Sequence, residues 1–362
     1  MPAPDFSKKT IDTLARRAAF KCSNPDCRKS TVGPNSEDNK STLIGEAAHI
    51  FGARDKSKRY SPDMTDIARA DITNALWLCR NCHKLIDTDD VLYKSKTLFL
   101  WREEHEKLTL SELGNSASQI QLQEEAAKVE NFLEYPPLIR RIIIDRSAGW
   151  EYRLTAELMR FLNQPPFRKL EDLRDNLYVR PWVHIENEDA LNWVQRCLSD
   201  QSNLISPLVN LMPKLTNSWG EIGEHGDVEE IHHVTCLIRD YLNQIVEFEE
   251  KLFFTSLPDK YQNILSLLKG AISSQVERIK EIPNHLDNVV ALNDSAHEGT
   301  RETPLVIEKT ITFELPNNWE KQMSKEIKKL AFVQTEAKPE KNNGCLPLII
   351  LSFVIWVVWQ LF

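Results

Sequence analysis

Two stretches of the sequence carry the residues that decide the fold of the first domain: Gly45-Glu46-Ala47-Ala48-His49-Ile50 and Asn74-Ala75-Leu76-Trp77-Leu78-Cys79-Arg80-Asn81-Cys82-His83. Residues 42–50 and 74–78 are short, mostly apolar runs with the length of strands, and a helix is expected to start at Cys82. The two stretches therefore predict a strand–strand–helix unit in which polar side chains from separate parts of the chain meet.

Three polar side chains in these stretches, His49, Asn74 and His83, have complementary chemistry. An imidazole has an unperturbed pKa of about 6.5, so His49 can be neutral and still basic at cytosolic pH and can take a proton from water. The Asn74 amide donates and accepts without titrating, which suits it to hold the imidazole of His49 or the loop around it. Because His83 can bind a divalent ion, the trio predicts a metal-assisted hydrolytic site.

Four cysteines have the spacing of zinc ligands. Cys22 and Cys27 enclose a turn-rich segment, and Cys79 and Cys82 form a Cys-x-x-Cys pair at the start of the predicted helix. Four thiolates leave no open coordination position on Zn²⁺, so this zinc is predicted to be structural and its loss to unfold the domain. The remaining cysteines are scattered and are expected to be reduced and inert: Cys197, Cys236 and Cys345.

The strings Gly-Glu-Ala-Ala-His-Ile and Asn-Ala-Leu-Trp-Leu-Cys-Arg-Asn-Cys-His-Lys-Leu-Ile-Asp resemble the HNH endonuclease family, also called the ββα-metal fold. The resemblance covers residues 1–110 and is closest to the N-terminal HNH domains of bacterial anti-phage effectors. It implies hydrolysis of DNA with one ion, Mg²⁺ or Mn²⁺. It also implies roles for three residues: His49 as general base, Asn74 as the residue that orients the histidine or holds its loop, and His83 as a metal ligand.

The chain departs from the common family pattern at Ala48, where many members carry an Asp or His that binds the ion. Asp87 lies one helical turn after His83, so both side chains can reach the same ion. Glu46 is a second candidate because it shares a strand face with Ala48. Asp87 is favoured over Glu46 as the replacement ligand.

The formal charge of −8 is unevenly distributed. Residues 1–110 carry about +3 and the remainder about −11, so the acidic excess lies outside the predicted nuclease domain. A basic loop follows His49 and is predicted to meet the phosphate backbone of DNA beside the ion. Its cationic residues are Arg54, Lys56, Lys58 and Arg59. The alternative is an ordinary solvated surface loop.

The sequence divides into an HNH domain over residues 1–112, a mostly helical region over 118–335, a linker over 336–344 and a membrane anchor over 345–362. Within the helical region, apolar residues at three- and four-residue steps predict two antiparallel helices over residues 231–252 and 261–279. Residues 305–315 alternate like a strand or a hairpin, and a final helix is expected to run through Leu330. The helical region has the size of a sensor or oligomerisation module. A His- and acid-rich cluster is interpreted there as a surface feature rather than a metal site: Glu224, His225, Asp227, His232 and His233.

The C-terminal run from Leu346 to Phe362 is almost entirely apolar. As a helix rising about 1.5 Å per residue it would reach about 25 Å, near the lower limit for crossing a bilayer core. Lys338 and Lys341 precede the run, and Trp356 and Trp359 lie toward its far end, which is typical of a cytoplasmic body on a single-pass anchor in the bacterial inner membrane. The alternative is a buried terminal helix.

Together these features predict an α+β chain: a small zinc-stabilised ββα-metal domain, a mostly α-helical domain and a C-terminal transmembrane helix. The implied function is a membrane-tethered, metal-dependent endonuclease acting on double-stranded DNA in anti-phage defence. No base-reading element is evident, so the enzyme is expected to wait for a trigger sensed through the helical region, the tail, a homo-oligomer or a co-encoded partner. The alternatives are a catalytically silent zinc-stabilised DNA-binding module and a membrane-associated protein that recruits a partner, and RNA is a second candidate substrate.

Overall fold

The computed structural model describes residues 4–113, 127, 129–221, 224–293, 305–313, 315–334 and 351–359. The chain is α+β and mostly helical, as predicted from the sequence. It divides into two compact units, Met1–Leu154 and Thr155–Phe362. The predicted boundary between residues 112 and 118 stays a prediction.

The first unit combines short strands with helices. Its strands are β1 (Val32–Pro34), β2 (Ser41–Leu43), β3 (Gly45–His49) and β4 (Ala75–Cys79). Its helices are α1 (Lys8–Arg17), α2 (Asp66–Ala70), α3 (Arg80–Thr88), α4 (Ser95–Glu112), α5 (Pro137–Asp145) and the first residues of α6 (Trp150–Arg174). A 3₁₀ turn over Ile72–Asn74 leads directly into β4, and α3 follows β4 without a loop. The strand–strand–helix order predicted from the two quoted stretches is confirmed.

β3 and β4 form an antiparallel pair in which Gly45 lies opposite Cys79 and His49 opposite Ala75. All five residues of β4 are buried, because the pair has a core on each face. On one face Ala48 and Ile50 pack with Leu76, Leu78, Ile86, Leu98 and Phe99. On the other face Ala47 packs with Trp77, Phe6 and the apolar side of α1. Successive strand residues therefore face different elements, α3 and α4 on one side and the N-terminal segment on the other.

Gly45 is required where β3 begins. A Cβ atom at this position would lie 2.2 Å from the Trp77 ring and 2.8 Å from the Thr31 hydroxyl. The Trp77 indole is itself held in place, since its Nε1–H donates to that hydroxyl at 2.9 Å. The glycine thus allows the largest buried side chain of β4 to pack directly against β3.

A buried ionic cluster links α1, α4 and α5. Asp145 has no exposed side-chain surface and pairs with Arg17, Arg102 and Arg141. Glu106 pairs with the same three arginines. Burial alone raises the pKa of Glu106, but the charges of Arg102, Arg141 and Arg17 outweigh it and hold that pKa well below its usual range. These pairs join the three helices, and removal of one partner would leave a buried charge uncompensated.

The second unit is mainly helical. Its helices are the rest of α6 (Trp150–Arg174), α7 (Ala190–Ile205), α8 (Pro207–Asn217), α9 (Val228–Phe253), α10 (Gln262–Leu268), α11 (Ser273–Val276), α12 (Glu281–Asn293) and α13 (Trp319–Gln334), with 3₁₀ turns over Asp259–Tyr261 and Glu277–Lys280. β5 (Val183–His184) pairs in parallel with β6 (Thr255–Ser256), and β7 (Leu305–Phe313) pairs antiparallel with β8 (Leu351–Trp359). The predicted strand at residues 305–315 and the final helix through Leu330 are confirmed.

The predicted helix over 231–252 is confirmed as part of α9. Its apolar stripe is buried along its length: Ile231, Val234, Ile238, Tyr241, Ile245, Phe248 and Leu252. The second predicted helix, over 261–279, is wrong as a continuous element, although its apolar residues are buried. Gly270 has φ +77° and separates α10 from α11, and the Glu249 carboxylate accepts the backbone N–H of Gly270 at this break. A residue in the left-handed region ends a helix, so the periodic stripe is divided between short turns.

The C-terminal apolar run was predicted as a helix, but residues 351–359 lie in β8. The run is rich in β-branched and aromatic residues, which favour strands, and periodicity alone does not separate helix from strand in an apolar run of this length. Residues 335–350 and 360–362, which include the predicted linker, lie outside the described residues. Within the described residues, none of the helices combines the length and the apolar character that crossing a bilayer would require. Membrane attachment stays a prediction.

Candidate functional site

The four predicted zinc ligands come together. The ligand atoms of Cys22, Cys27, Cys79 and Cys82 all lie within 4.8 Å of one another, and none of the four is in a disulfide. The sulfurs of Cys27 and Cys79 are 3.9 Å apart. Four sulfurs placed about 2.3 Å from a tetrahedral zinc ion are separated by roughly 3.8 Å, so the donor set and its spacing fit Zn²⁺. The cluster can bind a metal such as zinc.

Local hydrogen bonds shape the cysteine cluster. The turn between Cys22 and Cys27 is closed by the Cys27 N–H donating to the Asn24 carbonyl, and it is joined to β4 by the Ser23 N–H donating to the Trp77 carbonyl. The Asn24 side-chain amide donates to the Cys82 sulfur at 3.3 Å. Burial raises the pKa of Cys22, and it raises the pKa of Cys82 to about 11. Metal binding must therefore displace protons from these thiols, which makes zinc affinity dependent on pH.

His49 lies at the end of β3 and contacts the N-terminal segment. Its ring stacks on Phe6 with a centroid separation of 4.0 Å and an interplanar angle of 18°. Its Nε2 atom lies 3.1 Å from the carbonyl oxygen of Pro4. Burial lowers the pKa of His49, and the opposing effects of the Pro4 carbonyl and of Asp5 do not offset it. The imidazole is thus kept neutral, the state that a general base requires.

Asn74 holds the backbone that follows β3. Its side chain is fully buried, and its Oδ1 accepts the N–H of Phe51 at 2.8 Å. Its Nδ2 donates to the carbonyl of Phe51 and to that of Arg69, each at 3.0 Å. The sequence predicts that Asn74 either orients the imidazole of His49 or holds the loop around it. The hydrogen bonds of its side chain to the backbone of Phe51 and Arg69 favour the loop-holding role.

His83 lies between two carboxylates on α3 and β3. Its Nδ1 is 2.9 Å from Glu46 Oε2, and its Nε2 is 3.5 Å from Asp87 Oδ2. Glu46 also accepts from the Arg80 guanidinium at 2.9 Å. The hydrogen bond with His83 lowers the pKa of Glu46, and the Arg80 contact acts in the same direction. Because the two carboxylates face different ring nitrogens, only one of them can share an ion with His83 in this arrangement.

The geometry of His83 and Asp87 fits a shared divalent ion. Two ligands about 2.1 Å from one ion can be separated by up to about 4.2 Å, and the measured 3.5 Å lies within that limit. A metal-binding histidine usually donates its other N–H to a carboxylate, and Glu46 is placed to accept it from Nδ1. Among the described residues, the only group of three or more metal-binding side chains close enough for one ion is the four-cysteine cluster.

Ala48 is fully buried in the apolar core between β3 and α3. The strand position at which the sequence resemblance implies a metal ligand therefore contributes apolar packing in this chain. Glu46, which shares the strand face with Ala48, forms hydrogen bonds with His83 and Arg80 instead of reaching the position of the Ala48 side chain.

The basic loop after His49 contains residues of two kinds. The Arg59 side chain is 5% exposed and donates to the carbonyls of Ile50 and Ile86 and to Asp87. Arg59 therefore ties the loop to the end of β3 and to α3, a role different from the predicted DNA contact. The other three predicted DNA-binding residues are exposed: Arg54, Lys56 and Lys58. Lys58 pairs with Asp90 at 3.0 Å.

The sequence did not indicate three further residues at this site: Pro4, Phe6 and Arg69. Arg69 is buried and donates to the carbonyls of Gly52, Ser61 and Met64, so it supports the same loop as Arg59 from the other side. Its only signal in the sequence is an isolated arginine in a short apolar helix. Pro4 and Phe6 have no local signal, because their contact with His49 joins distant parts of the chain.

In the second unit, Asp227 from the His- and acid-rich cluster caps α9 by accepting the N–H groups of Glu229 and Glu230. His232 lies 3.5 Å from the Cys236 sulfur, one turn along the same helix. Comparison with known proteins found no matching family model, no matching curated protein and no matching solved structure.

Proposed function

We propose that this chain is a metal-dependent HNH-type endonuclease that cleaves DNA phosphodiester bonds. The observation that carries the proposal is the β3–β4–α3 unit, in which one antiparallel strand pair and one helix bring together His49, the loop held by Asn74, and His83 with its two carboxylates. The charges of His83 and Asp87 act on the pKa of His49, so the proposed base lies within electrostatic reach of the proposed ion site.

The proposed roles follow from the contacts. His83 Nε2 and Asp87 Oδ2 would hold Mg²⁺ or Mn²⁺, and Glu46 accepts the Nδ1–H of His83, which leaves Nε2 as the unprotonated nitrogen that could bind the ion. The bound ion supplies neutralisation of the charge that develops on the scissile phosphate. His49 takes the proton from the attacking water, and Asn74 keeps the backbone after His49 in place.

The exposed cations of the basic loop are proposed to contact the DNA backbone. Arg54, Lys56 and Lys58 are exposed on the segment that directly follows the proposed base. Such phosphate contacts position a duplex without reading its sequence, which agrees with a nuclease that lacks an evident base-reading element. Structural zinc in the four-cysteine cluster is part of the same proposal, since Cys79 and Cys82 lie at the junction of β4 and α3.

A second candidate function is a catalytically silent, zinc-stabilised DNA-binding module. The burial of Ala48 favours it, because the strand then contributes no ligand at that position and the ion keeps only His83 and one carboxylate from the chain. This alternative predicts that the protein retains DNA without cutting it and that His49→Ala changes neither property.

Tethering to the bacterial inner membrane and a role in anti-phage defence complete the proposal. They are supported by the apolar run at residues 346–362 and by the resemblance of residues 1–110 to defence effectors. The rival, a membrane protein whose first domain only recruits a partner, predicts that protection against phage survives His49→Ala. The proposed nuclease predicts that this one substitution abolishes protection while the protein stays in the membrane fraction.

The decisive experiment incubates the full-length protein with supercoiled plasmid and Mg²⁺ or Mn²⁺. We expect nicking by the parent and none by His49→Ala or His83→Ala. His184→Ala is the matched control, because His184 is exposed on β5 in the second unit. Retention of DNA without nicking, from folded and zinc-loaded parent protein, would mean either the binding module or an enzyme that still awaits its trigger. Protection against phage that is lost in His49→Ala would then identify the untriggered enzyme, and protection unaffected by His49→Ala would favour the binding module.

The ligand assignment has its own test. Asp87→Ala removes the proposed ligand and should abolish Mn²⁺-dependent nicking at any Mn²⁺ concentration tested. Glu46→Gln leaves the ligand set intact but weakens the hold on His83, so nicking should survive with the Mn²⁺ requirement raised about 10- to 100-fold. The reverse pattern would show that Glu46 binds the ion and Asp87 supports the ring.

A further inference from the structure

The N-terminal segment Pro4–Phe6 makes two directed contacts with the proposed base. The Pro4 carbonyl oxygen lies 3.1 Å from His49 Nε2, and the Phe6 ring lies parallel to the imidazole at 4.0 Å. Phe6 is anchored in turn, since it is 9% exposed and belongs to the core formed by α1 and β4. Ser7 then caps α1 by accepting the N–H of Thr10, so the segment is followed directly by a fixed helix.

The Pro4 contact determines which nitrogen of His49 carries the proton. A carbonyl oxygen can only accept a hydrogen bond, so the Nε2 that contacts it must donate. A neutral imidazole has one N–H, and when that N–H is on Nε2 the lone pair is on Nδ1. The atom of His49 that is free to accept a proton from water is therefore Nδ1.

We propose that Pro4–Phe6 is a positioning segment for His49, in which the Pro4 carbonyl selects the Nε2–H tautomer and the Phe6 ring fixes the plane of the imidazole, leaving Nδ1 as the proton-accepting atom. The catalytic part of this proposal rests on the proposed nuclease function. The tautomer part is a property of the folded protein and holds whether or not the protein cleaves DNA.

In proton-transfer sites a further group commonly orients the base by bonding the ring nitrogen that does not accept the proton. The Pro4 carbonyl is placed to do this at Nε2 of His49. Here that group comes from outside the strand–strand–helix unit. His49 lies on the strand face shared with Ala47, which packs against the N-terminal segment and α1, whereas Glu46 and Ala48 face α3. The base and the proposed ion site are thus held by different elements, and the base depends on Pro4–Phe6.

Selective ¹⁵N-histidine labelling of the full-length protein tests the tautomer. Long-range ¹H–¹⁵N spectra at neutral pH distinguish a protonated ring nitrogen from an unprotonated one, and the signals missing from His49→Ala assign His49. We expect a single tautomer with Nε2 protonated and Nδ1 unprotonated. Removal of residues 2–5 deletes the Pro4 carbonyl and keeps Phe6, and we expect that variant to show mixed tautomers. A parent protein with Nδ1 protonated, or a deletion variant with the same single tautomer, overturns the proposal.

Plasmid nicking tests the catalytic consequence with the same proteins. Misplacement of a catalytic group costs about 10- to 100-fold in kcat, and we expect the deletion variant to lose that much with little change in the KM for plasmid. Phe6→Leu keeps an apolar side chain of similar size and should lose less, whereas Phe6→Tyr keeps the ring and the single tautomer. A rise in kcat on deletion would show that the segment obstructs the base and would overturn the positioning role.

The two readouts separate the failure of this inference from failure of the proposed function. If the parent protein cuts no DNA but shows the Nε2–H tautomer, and the deletion variant loses it, the segment positions His49 and the failure lies with the proposed nuclease function or its trigger. Zinc content and near-UV circular dichroism of each variant establish that it is folded. If the deletion variant does not fold, the tautomer of the parent protein tests the role of the Pro4 carbonyl, and the kcat of Phe6→Leu tests the role of the Phe6 ring.

Discussion

The four-cysteine cluster and the His49–His83 site both use residues of the β3–β4–α3 unit but are built in different ways. The cysteine cluster has four ligands from the chain, largely buried and spaced to fit one ion. The His49–His83 site has one imidazole on β3 and one on α3, two carboxylates that face different nitrogens of His83, and an alanine at position 48. The proposed structural centre is therefore closed within the chain, whereas the proposed reactive centre leaves positions for water and substrate.

The largest expected effect comes from the cysteine cluster. Cys82→Ser should unfold the first unit, because structural zinc contributes apparent binding energies of about 10–16 kcal/mol in small zinc domains and this energy is folding energy. Limited proteolysis and zinc content check the outcome, and Cys236→Ser, on α9, is the control. A chelated or Cys82→Ser protein that keeps its first unit resistant to protease would show that the apolar core around Trp77 suffices without the ion.

The loop that carries His49 should be the next most sensitive part. Asn74→Asp keeps the shape of the side chain but replaces the Nδ2 donor, so the carbonyls of Phe51 and Arg69 lose their partner and a carboxylate is buried. We expect a loss of about 2–4 kcal/mol in the free energy of unfolding and a lower kcat for nicking. Urea unfolding measures the first effect. Asn81→Asp, at an exposed position of α3, should change stability by less than about 0.5 kcal/mol.

These expectations also show what the sequence could and could not predict. The cysteine cluster and the order β3, β4, α3 were predictable because ligand spacing and apolar runs are local signals. The roles of Pro4 and Phe6 were not, since contacts between distant segments leave no periodic pattern. Arg59 was assigned to DNA because a charged loop residue is usually exposed. The backbone carbonyls at the ends of β3 and α3 need donors, however, and Arg59 satisfies two of them.

Acid should weaken the first unit through His105 on α4. This side chain is 2% exposed, and burial lowers its pKa to about 4. Its Nδ1 has no hydrogen-bond partner among the described residues. Because the unfolded state binds the proton at a pKa of about 6.5, stability is unaffected above that pH and falls as pH decreases from about 6.5 to 4, by roughly 2–3 kcal/mol in total. His105→Phe removes the titration and should flatten this part of the stability profile. Equal acid sensitivity of the two proteins would assign the effect to other groups, such as the cysteine ligands.

The smallest expected effect is the change in DNA affinity caused by Lys56→Ala. It distinguishes Lys56, a proposed DNA contact, from Arg59, which supports the same loop internally. Lys56 is exposed and Arg59 is internal. Lys56→Ala should leave the free energy of unfolding unchanged and weaken DNA binding a few-fold at moderate salt. It should also reduce the slope of log affinity against log salt by about 0.9, the value for one phosphate contact.

Arg59→Ala should instead lower the free energy of unfolding by about 1.5–3 kcal/mol, because the carbonyls of Ile50 and Ile86 lose a charged donor. Binding measured over a salt series with catalytically inactive His49→Ala protein separates the two. An unchanged salt slope for Lys56→Ala would mean that Lys56 makes no phosphate contact, and that Arg54, Lys58 or other cations of residues 1–110 contact the DNA.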